Sequence, residues 1–479
     1  MSRILIVSIL LILVVSSGAF AASTRWNALG GDHRFIIDTT NYTIYPGRLT
    51  QFGNALFIIP TPNFLDNNVA SGALVNVTKD MTLALHYNLA SAGAKNLSKA
   101  LAGLSDPDEL TSAERGLTRA DEGTAEWFEA RKSVAALSQN ERLAALDIRP
   151  FPDLFWGMRT GNIGLGVRLA LAMDSDSDAA SVLEEPIMKD EDVVGMETKP
   201  VEEITASATA FDLNVGATMY ETPAGDLDLG LSVGMQSFSG DDPNHDIEIG
   251  STGGLDLACN ARLSKPLDEE AYRTLISLAN LNIGSLPSAE YDIEAAPDVA
   301  EVSYTKGDIG VGFRQKVKEK GMVLAGVVGG YGATTYTPTT TMEIEPAEEG
   351  GEVTLETKEL PETTDTSLNA TVLAGCEFPI SKWLIVRGGA NVRFAAITDE
   401  MVVREGIEDW ITGEETVTEA VRDKKSTSVG YYYNMGIRAV FNGLLVDVLL
   451  ARNIVHRGPY FLTGAAGNWA TNVCVTYKF

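Results

Sequence analysis

Apolar and polar residues alternate with a period of two along most of the chain, and the C-terminal stretch shows the pattern most fully. Counting back by twos, Phe479, Tyr477, Val475, Val473, Thr471 and Trp469 share one face, opposite Lys478, Thr476, Cys474, Asn472, Ala470 and Asn468. One set suits lipid and the other a polar interior. At about 3.3 Å per residue the run from Trp469 to Phe479 spans roughly 33 Å, or about 25 Å along a membrane normal at a strand tilt near 40°. That is the height of the apolar band of a membrane barrel, and it puts aromatic residues at both edges. An ordinary C-terminal strand of a secreted sandwich is the alternative.

The same stripe recurs upstream. In Ile163 to Met173, Ile163, Leu165, Val167, Leu169 and Leu171 alternate with Gly164, Gly166, Arg168, Ala170 and Ala172. Comparable stretches are Asn54–Ile59, Val69–Val77, Met81–Leu89, Asp153–Met158, Phe211–Met219, Leu227–Met235, Leu255–Leu263, Leu368–Phe378, Leu384–Phe394 and Val429–Phe441. Weaker strands are Tyr272–Ile283, Val302–Gln315, Met322–Tyr331 and Leu444–Leu450. Strands wet on one side give this signature.

Short and long connections alternate between the stripes. Short ones include Glu221–Gly225, Ser264–Glu270, Lys316–Gly321, Pro379–Lys382 and Asn442-Gly443; long ones are Asp174–Glu203, Gly240–Gly250, Leu286–Ala300, Tyr336–Asp365, Thr398–Ser426 and Asn453–Ala466. Short periplasmic turns and long outer loops mark single-chain outer-membrane barrels. The predicted fold is therefore all-β: a transmembrane antiparallel barrel of about 16 strands over 54–479. The count falls to about 14 if Pro150 and Pro152 keep Asp153–Met158 out of the sheet, because proline cannot donate to a ladder. A terminal Phe behind alternating apolar residues also resembles the signal by which such barrels reach their insertion machinery, which makes that machinery and outer-membrane lipid the expected partners.

Two regions break the alternation. Ser91–Asp147 is rich in Ala, Leu, Glu and Arg, with Leu110, Leu117, Trp127, Phe128, Val134 and Leu137 at loosely helical spacing. It reads as an insertion (91–147) of two or three short helices, either a solvated loop or a cap over the lumen. At the start, Arg3, the apolar run Ile4–Val15 and Ala19-Phe20-Ala21 form a secretory signal (1–21) with cleavage near Ala21. Outside it no apolar run is long enough to cross a bilayer as a helix, so a membrane protein here must be built of strands.

Residues 22–53 carry glycines and Tyr45-Pro46-Gly47, which interrupt any continuous strand. Ala28-Leu29-Gly30-Gly31, an Asp-containing spacer and the Tyr45-Pro46-Gly47 turn resemble the opening of the superfamily of long-chain fatty acid channels and type nine secretion accessory barrels. The resemblance covers some thirty residues and departs from the usual Asn-Pro pair. It implies that residues from about Ala28 to Leu49 plug or line the periplasmic end of the barrel.

Composition narrows the function. With Lys+Arg 37 against Asp+Glu 65, the net charge is -28, which argues against nucleic acid as a partner. Cys259, Cys376 and Cys474 are too few and odd in number for a disulfide framework. The histidines His33, His86, His245 and His456 lack metal-ligand spacing. Asp174, Asp176 and Asp178, with Glu185 at position twelve from Asp174, have the oxygen spacing of a calcium loop. Ala179 and Ala180 stand where that loop needs a Gly and a flexible turn, so no metal and no cofactor is assigned.

The inward-facing set holds the candidate chemistry. Its charged members are Arg168, Asp212, Asp228, Asp256, Arg262, Arg314, Glu377, Arg387, Arg393, Arg438 and Asp447, among Asn214, Gln236, Asn260, Asn369 and Asn391. They form either a paired network along the wall or a polar conduit in which Arg387, Arg393 and Arg438 favour anions. Trp469, Tyr477 and Phe479 are the interface aromatics. No nucleophile elbow, phosphate loop or paired-His motif is present, so no enzyme activity is expected. The expected function is a porin-like outer-membrane channel for small solutes, with gating by the N-terminal segment or the insertion left open. An adaptor barrel that docks secreted proteins and a carrier of hydrophobic compounds are the alternatives, and the oligomeric state stays open.

Overall fold

In a computed structural model the structure describes residues 29, 32–36, 41–60, 69–87, 91–105, 107–119, 124–179, 183–189, 192–199, 203–245, 247–268, 272–291, 299–317, 321–344, 354–359, 362–408, 415–450 and 470–479. A closed antiparallel barrel of 16 strands dominates them. Its strands are β1 (Ala55–Pro60), β2 (Val69–Thr78), β3 (Met81–Tyr87), β4 (Asp153–Thr160), β5 (Ile163–Ala179), β6 (Glu203–Thr222), β7 (Gly225–Asp242) and β8 (Gly254–Pro266). They continue with β9 (Arg273–Leu286), β10 (Val299–Val317), β11 (Gly321–Ile344), β12 (Thr363–Pro379), β13 (Leu384–Glu408), β14 (Glu415–Phe441), β15 (Leu444–Leu450) and β16 (Ala470–Lys478). Each pairs with the next, and β16 closes on β1 through Leu56 opposite Tyr477. Within the barrel no edge strand remains to template aggregation.

The count settles the choice between 16 and 14. β4 pairs with β3 on one side and β5 on the other. Pro150 and Pro152 precede it and leave its ladder donors intact. The turns at one end are tight, as at Asn442-Gly443, where φ values of 41° and 90° are those a two-residue hairpin needs.

Several stretches read from the sequence as long loops are instead paired strand. β13 and β14 stay in register from Leu384 opposite Ala439 out to Glu408 opposite Glu415, through pairs such as Asp399 with Lys424. β5 runs on through Asp174–Asp178, and Leu183–Lys189 pairs with Asp192–Lys199 in a separate hairpin. Once a strand leaves the lipid its outward side chains turn polar while its backbone pairing continues. The apolar alternation therefore stops several residues before the strand does.

The outer surface is apolar at one level around the barrel. Leu83, Leu154, Leu165, Val215, Leu231, Leu257, Leu281, Val327, Val372 and Phe394 are all exposed, with Ile309 71% and Tyr431 70% exposed. In β3 the outward Leu83, Leu85 and Tyr87 alternate with the buried Thr82, Ala84 and His86. A water-soluble protein does not carry so extensive a belt. Closure, an even strand number and this belt make the chain an outer-membrane β-barrel. Tyr477 and Phe479 stack with ring centroids 6.3 Å apart on the outside. Trp469 and the signal region lie outside the described residues.

Between β3 and β4, at the end opposite the tight turns, stand three helices: α1 (Ala92–Ala102), α2 (Pro107–Arg119) and α3 (Ala125–Ala144). Ser91 caps α1 by accepting the Ala94 N–H, and Thr124 caps α3 by accepting that of Trp127. Ala94, Leu97 and Leu101 of α1 and Ala135, Ala136 and Leu143 of α3 pack on Ala172, Ala206, Ala208, Ala210 and Phe238, inward residues of β5, β6 and β7. The small wall side chains let the helices sit close against the inside of the barrel.

Candidate functional site: the barrel lumen

The described part of the N-terminal segment also lies against the inner wall, nearer the tight turns, as three short 3-10 turns at His33–Phe35, Asn41–Thr43 and Pro46–Gln51. Apolar contacts seat it: Tyr42 and Leu49 pack with Leu74, Ala84 and Phe155, while Leu29, Phe35 and Ile36 pack with Ile276, Leu278, Leu324 and Leu373. Where the segment crosses β5 and β7 the wall carries no side chain. A Cβ at Gly166 would stand 2.2 Å from the Pro46 carbonyl oxygen, and one at Gly230 2.2 Å from that of Ile44.

Polar contacts fix the register. Asp228 of β7 accepts from Arg48 Nε at 2.6 Å, from Arg262 Nε of β8 at 2.7 Å and from Thr218 Oγ1 at 2.8 Å. Arg48, Arg262 and Asp228 are 1%, 1% and 0% exposed, so all three sit in low dielectric and depend on one another. Arg262 Nη1 also donates to the Arg34 carbonyl at 3.1 Å and to Asn41 Oδ1 at 3.2 Å, and its guanidinium lies 4.7 Å from the centre of the Tyr45 ring. Burial pushes the Tyr45 hydroxyl up to about 12, with Arg262 pulling the other way. Arg34 binds Asp32 at 2.8 Å and also pairs with Asp308 of β10. Burial works against the charge of Arg34, but those two carboxylates hold it more firmly protonated than a free arginine.

A polar layer separates the segment from the helices. Arg168 Nε donates to Asp153 at 2.9 Å. Asp212 accepts the Gly93 N–H at the start of α1 at 3.1 Å, and Asp256 accepts from Tyr304 Oη at 2.9 Å, which takes a bond from Asn96 Nδ2 at 2.8 Å. Beside it Tyr42 Oη meets His86 Nε2.

The opposite wall is different. Low on β12 to β15, Arg387 Nε donates to Glu377 at 2.6 Å and its Nη1 to Asp447, which also takes Arg438 Nη2 at 2.7 Å. Two guanidiniums and two carboxylates balance there. Farther along the same wall Arg393, Ser428 and Tyr432, on the inward parity of β13 and β14, are exposed. Arg314 is half-buried and engaged in an interaction of its own. Among the described residues, the contacts of the N-terminal segment and of the helices fall on other positions than Arg393, Ser428 and Tyr432.

The predicted inward residues thus fall into several groups. Asp228 and Arg262 belong to the segment's anchor, Arg168, Asp212 and Asp256 to the central layer, and Glu377, Arg387, Arg438 and Asp447 to one closed cluster. The expected grouping of Arg387, Arg393 and Arg438 separates, with Arg393 apart from the other two. Asp174, Asp176 and Asp178 fall on β5 and Glu185 on the separate hairpin; Asp174 takes the Asp147 N–H and Asp176 pairs with Arg142 at 2.7 Å. Arg34, Arg48 and Tyr304 escaped the sequence reading. The signal for the first two was arginines in an opening segment of mixed polarity, facing a wall rich in aspartate.

No family model matches the chain, and no curated protein matches it. Among solved structures it is similar to the siderophore receptor PiuA from Acinetobacter baumannii, at 9% identity and a TM-score of 0.38, over 63% of this chain and 47% of that one. It is also similar to the ferric-catecholate import receptor Fiu from E. coli K12, at 7% identity and a TM-score of 0.35, over 83% of this chain and 69% of that one. A third is the ferric yersiniabactin uptake receptor FyuA from Yersinia pestis, at 6% identity and a TM-score of 0.32, over 88% and 78%. The chain spans about half the length of PiuA. Likenesses this distant carry no argument about cargo. The comparisons do not extend the resemblance of residues 28–49 to the fatty acid channels.

Proposed function

We propose that the chain is an outer-membrane channel for small polar solutes, with the passage running along the inner face of β12 to β14. The observation that carries this reading is the unequal covering of the lumen. On β5 to β9 most inward side chains are buried or half-buried, many of them under the N-terminal segment and the helices, whereas Arg393, Ser428 and Tyr432 on β13 and β14 stay exposed. A barrel of this strand number encloses water unless it is filled. Arg393 adds a positive charge to that wall, and it favours anions there.

The N-terminal segment narrows this passage, and its polar anchor at Asp228 makes it the movable part. A continuous apolar track, which a hydrophobic cargo would need, is not offered by Arg393, Asn391, Ser428 and Asn434. Purified protein in planar lipid bilayers should give discrete conductance steps, with selectivity moving from anions toward cations in Arg393→Glu. Absence of conductance from both the wild type and a variant lacking residues 22–52 would overturn the proposal.

A further inference from the structure

Between α3 and the barrel wall, at the end away from the tight turns, lies a cavity of about 750 Å³. Small-molecule sites have volumes of about 300–1,000 Å³. Ser138, Gln139 and Arg142 of α3 form one side, and Asp176 of β5 and His245, in the turn after β7, form the other. The passage along β12 to β14 uses none of these residues.

The charged groups around the cavity are already engaged. Arg142 Nε donates to Asp176 at 2.7 Å, His245 Nδ1 donates to Asp242 at 2.8 Å, and Glu141 accepts from the Ser105 hydroxyl at 2.7 Å. Arg131 lies 5.3 Å from the centre of the Trp127 ring. Counting Arg131 and Arg142 against Glu141, Asp176 and Asp242 leaves a single negative charge, and the His245 ring offsets it whenever it takes a second proton. A charged ligand of either sign would find its natural counterion taken.

Hydrogen-bonding capacity remains on both sides. With Nδ1 of His245 donating to a carboxylate, Nε2 of the neutral ring is an acceptor, and it makes no hydrogen bond among the described residues. Gln139 is 3% exposed; its Nε2 donates to the Thr205 carbonyl at 2.6 Å and faces the wall at Gly240. Its amide oxygen therefore turns away from that wall, and it too has no partner among the described residues. Ser138 donates to the Val134 carbonyl at 2.7 Å, which leaves its oxygen able to accept. The guanidiniums of Arg131 and Arg142 supply donors to the same space, and Leu117 of α2, Val134 and Ile204 add half-buried apolar surface.

We infer that this cavity binds an uncharged polyhydroxylated solute, a small sugar or polyol. Each hydroxyl both donates and accepts, which matches a lining that mixes acceptors with guanidinium donors. The absence of formal charge on such a solute leaves the pairs Arg142–Asp176 and His245–Asp242 intact, and its C–H faces suit Leu117, Val134 and Ile204. A solute held there bridges α3 and the turn after β7. The site stands whether or not the barrel conducts.

The test uses the full-length protein in an amine-oxide detergent, which has no sugar headgroup to compete. Glucose, maltose and sorbitol are the neutral probes, with succinate and putrescine as charged ones, and each is titrated by saturation-transfer NMR. At least one neutral probe should bind saturably and more tightly than either charged one. Its affinity should fall by about tenfold or more, the effect of losing one well-made hydrogen bond, in His245→Phe and in Ser138→Trp, which fills the cavity from an exposed helix position. Lys132→Ala, exposed on α3 and outside the cavity, and Arg393→Glu, in the passage, should bind as the wild type does. The two disruptive changes act from opposite sides, so if circular dichroism shows one to be unfolded the other decides. No saturable binding of any neutral probe, tighter binding of succinate or putrescine, or unchanged binding in a folded Ser138→Trp or His245→Phe overturns the inference. Sugar binding without conductance would sink the channel reading and leave this site in place.

Discussion

Asp228→Asn is the sharpest perturbation of the lumen, because one carboxylate there serves two buried guanidiniums. The change keeps the size of the side chain and its bond from Thr218, and removes the charge that offsets Arg48 and Arg262. Taking one partner from a buried ionic group costs about 3–5 kcal/mol. The barrel wall cannot relieve that cost, since Arg262 sits on a strand paired on both sides. Arg48 can, by carrying residues 44–52 into water. The front of the segment has separate holds in Phe35, Ile36 and the pairing of Arg34 with Asp308, so the opening should be confined to the part around Arg48.

Trypsin reads this directly, because Arg48 is itself a cleavage point that the wild type buries. If the whole cost goes into local opening, cleavage after Arg48 speeds up on the order of 10²- to 10³-fold, following the population of the open form. Asp226→Asn is the control. Asp226 meets Arg48 at 3.4 Å and its side chain is 31% exposed, so its loss should change the rate by less than about fivefold. Equal protection of the Arg48–Leu49 bond in Asp228→Asn and the wild type would refute the assignment of this ionic group to the segment. It would then be an anchor within the wall alone.

Other changes test neighbouring parts of the same picture. Gly230→Leu places a side chain where the Ile44 carbonyl passes, so it should expel the segment and raise conductance while the barrel keeps its strand content by circular dichroism. Leu97→Ala removes a fully buried contact between α1 and the wall; a loss of about 2–5 kcal/mol should appear as faster amide exchange in α1, with β6 and β7 still protected. In the turn after β8, Asp268 accepts from the Tyr272 and Arg273 N–H groups and from Arg273 Nε. Desolvation is the largest single influence and opposes its charge, but those bonds and the Arg273 charge together hold the Asp268 carboxyl below the usual carboxylate range. A lowered folded value means that the turn's stabilisation is present above the ordinary carboxylate pKa and is lost as pH falls through the folded one. Exchange at Tyr272 and Arg273, corrected for its intrinsic pH dependence, should therefore accelerate only under acid conditions.

The barrel was legible because lipid and water impose opposite demands on alternate residues. Leu83, Leu85 and Tyr87 against Thr82, Ala84 and His86 state that division in six positions, and the structure keeps it. The ends of the strands were not legible, for the same reason. Beyond the membrane both faces of a strand meet water, so pairs such as Asp399 with Lys424 carry no alternation although the ladder continues through them. Asp153–Thr160 shows how a local signal misleads: the prolines at 150 and 152 argue against a strand, yet Pro150 pairs with Ala172 in a short strand of its own, Pro152 falls in the gap after it, and neither takes a donor from Asp153–Thr160.

The lumen was harder to read because its contents are specified partly by what the wall lacks. Gly166 and Gly230 look like weak strand positions in one dimension, and their meaning appears only when the backbone of Ile44 and Pro46 lies against them. The charges show the same dependence. Asp228 and Arg262 read as a cross-strand pair on a bare wall, but Arg48 joins them from a segment some 180 residues earlier. A third charge converts a balanced pair into a group with excess positive charge, in which both guanidiniums depend on the one buried carboxylate of Asp228. The part of the segment around Arg48 can therefore be released by changing one wall carboxylate, whereas a stretch held by apolar packing alone could not.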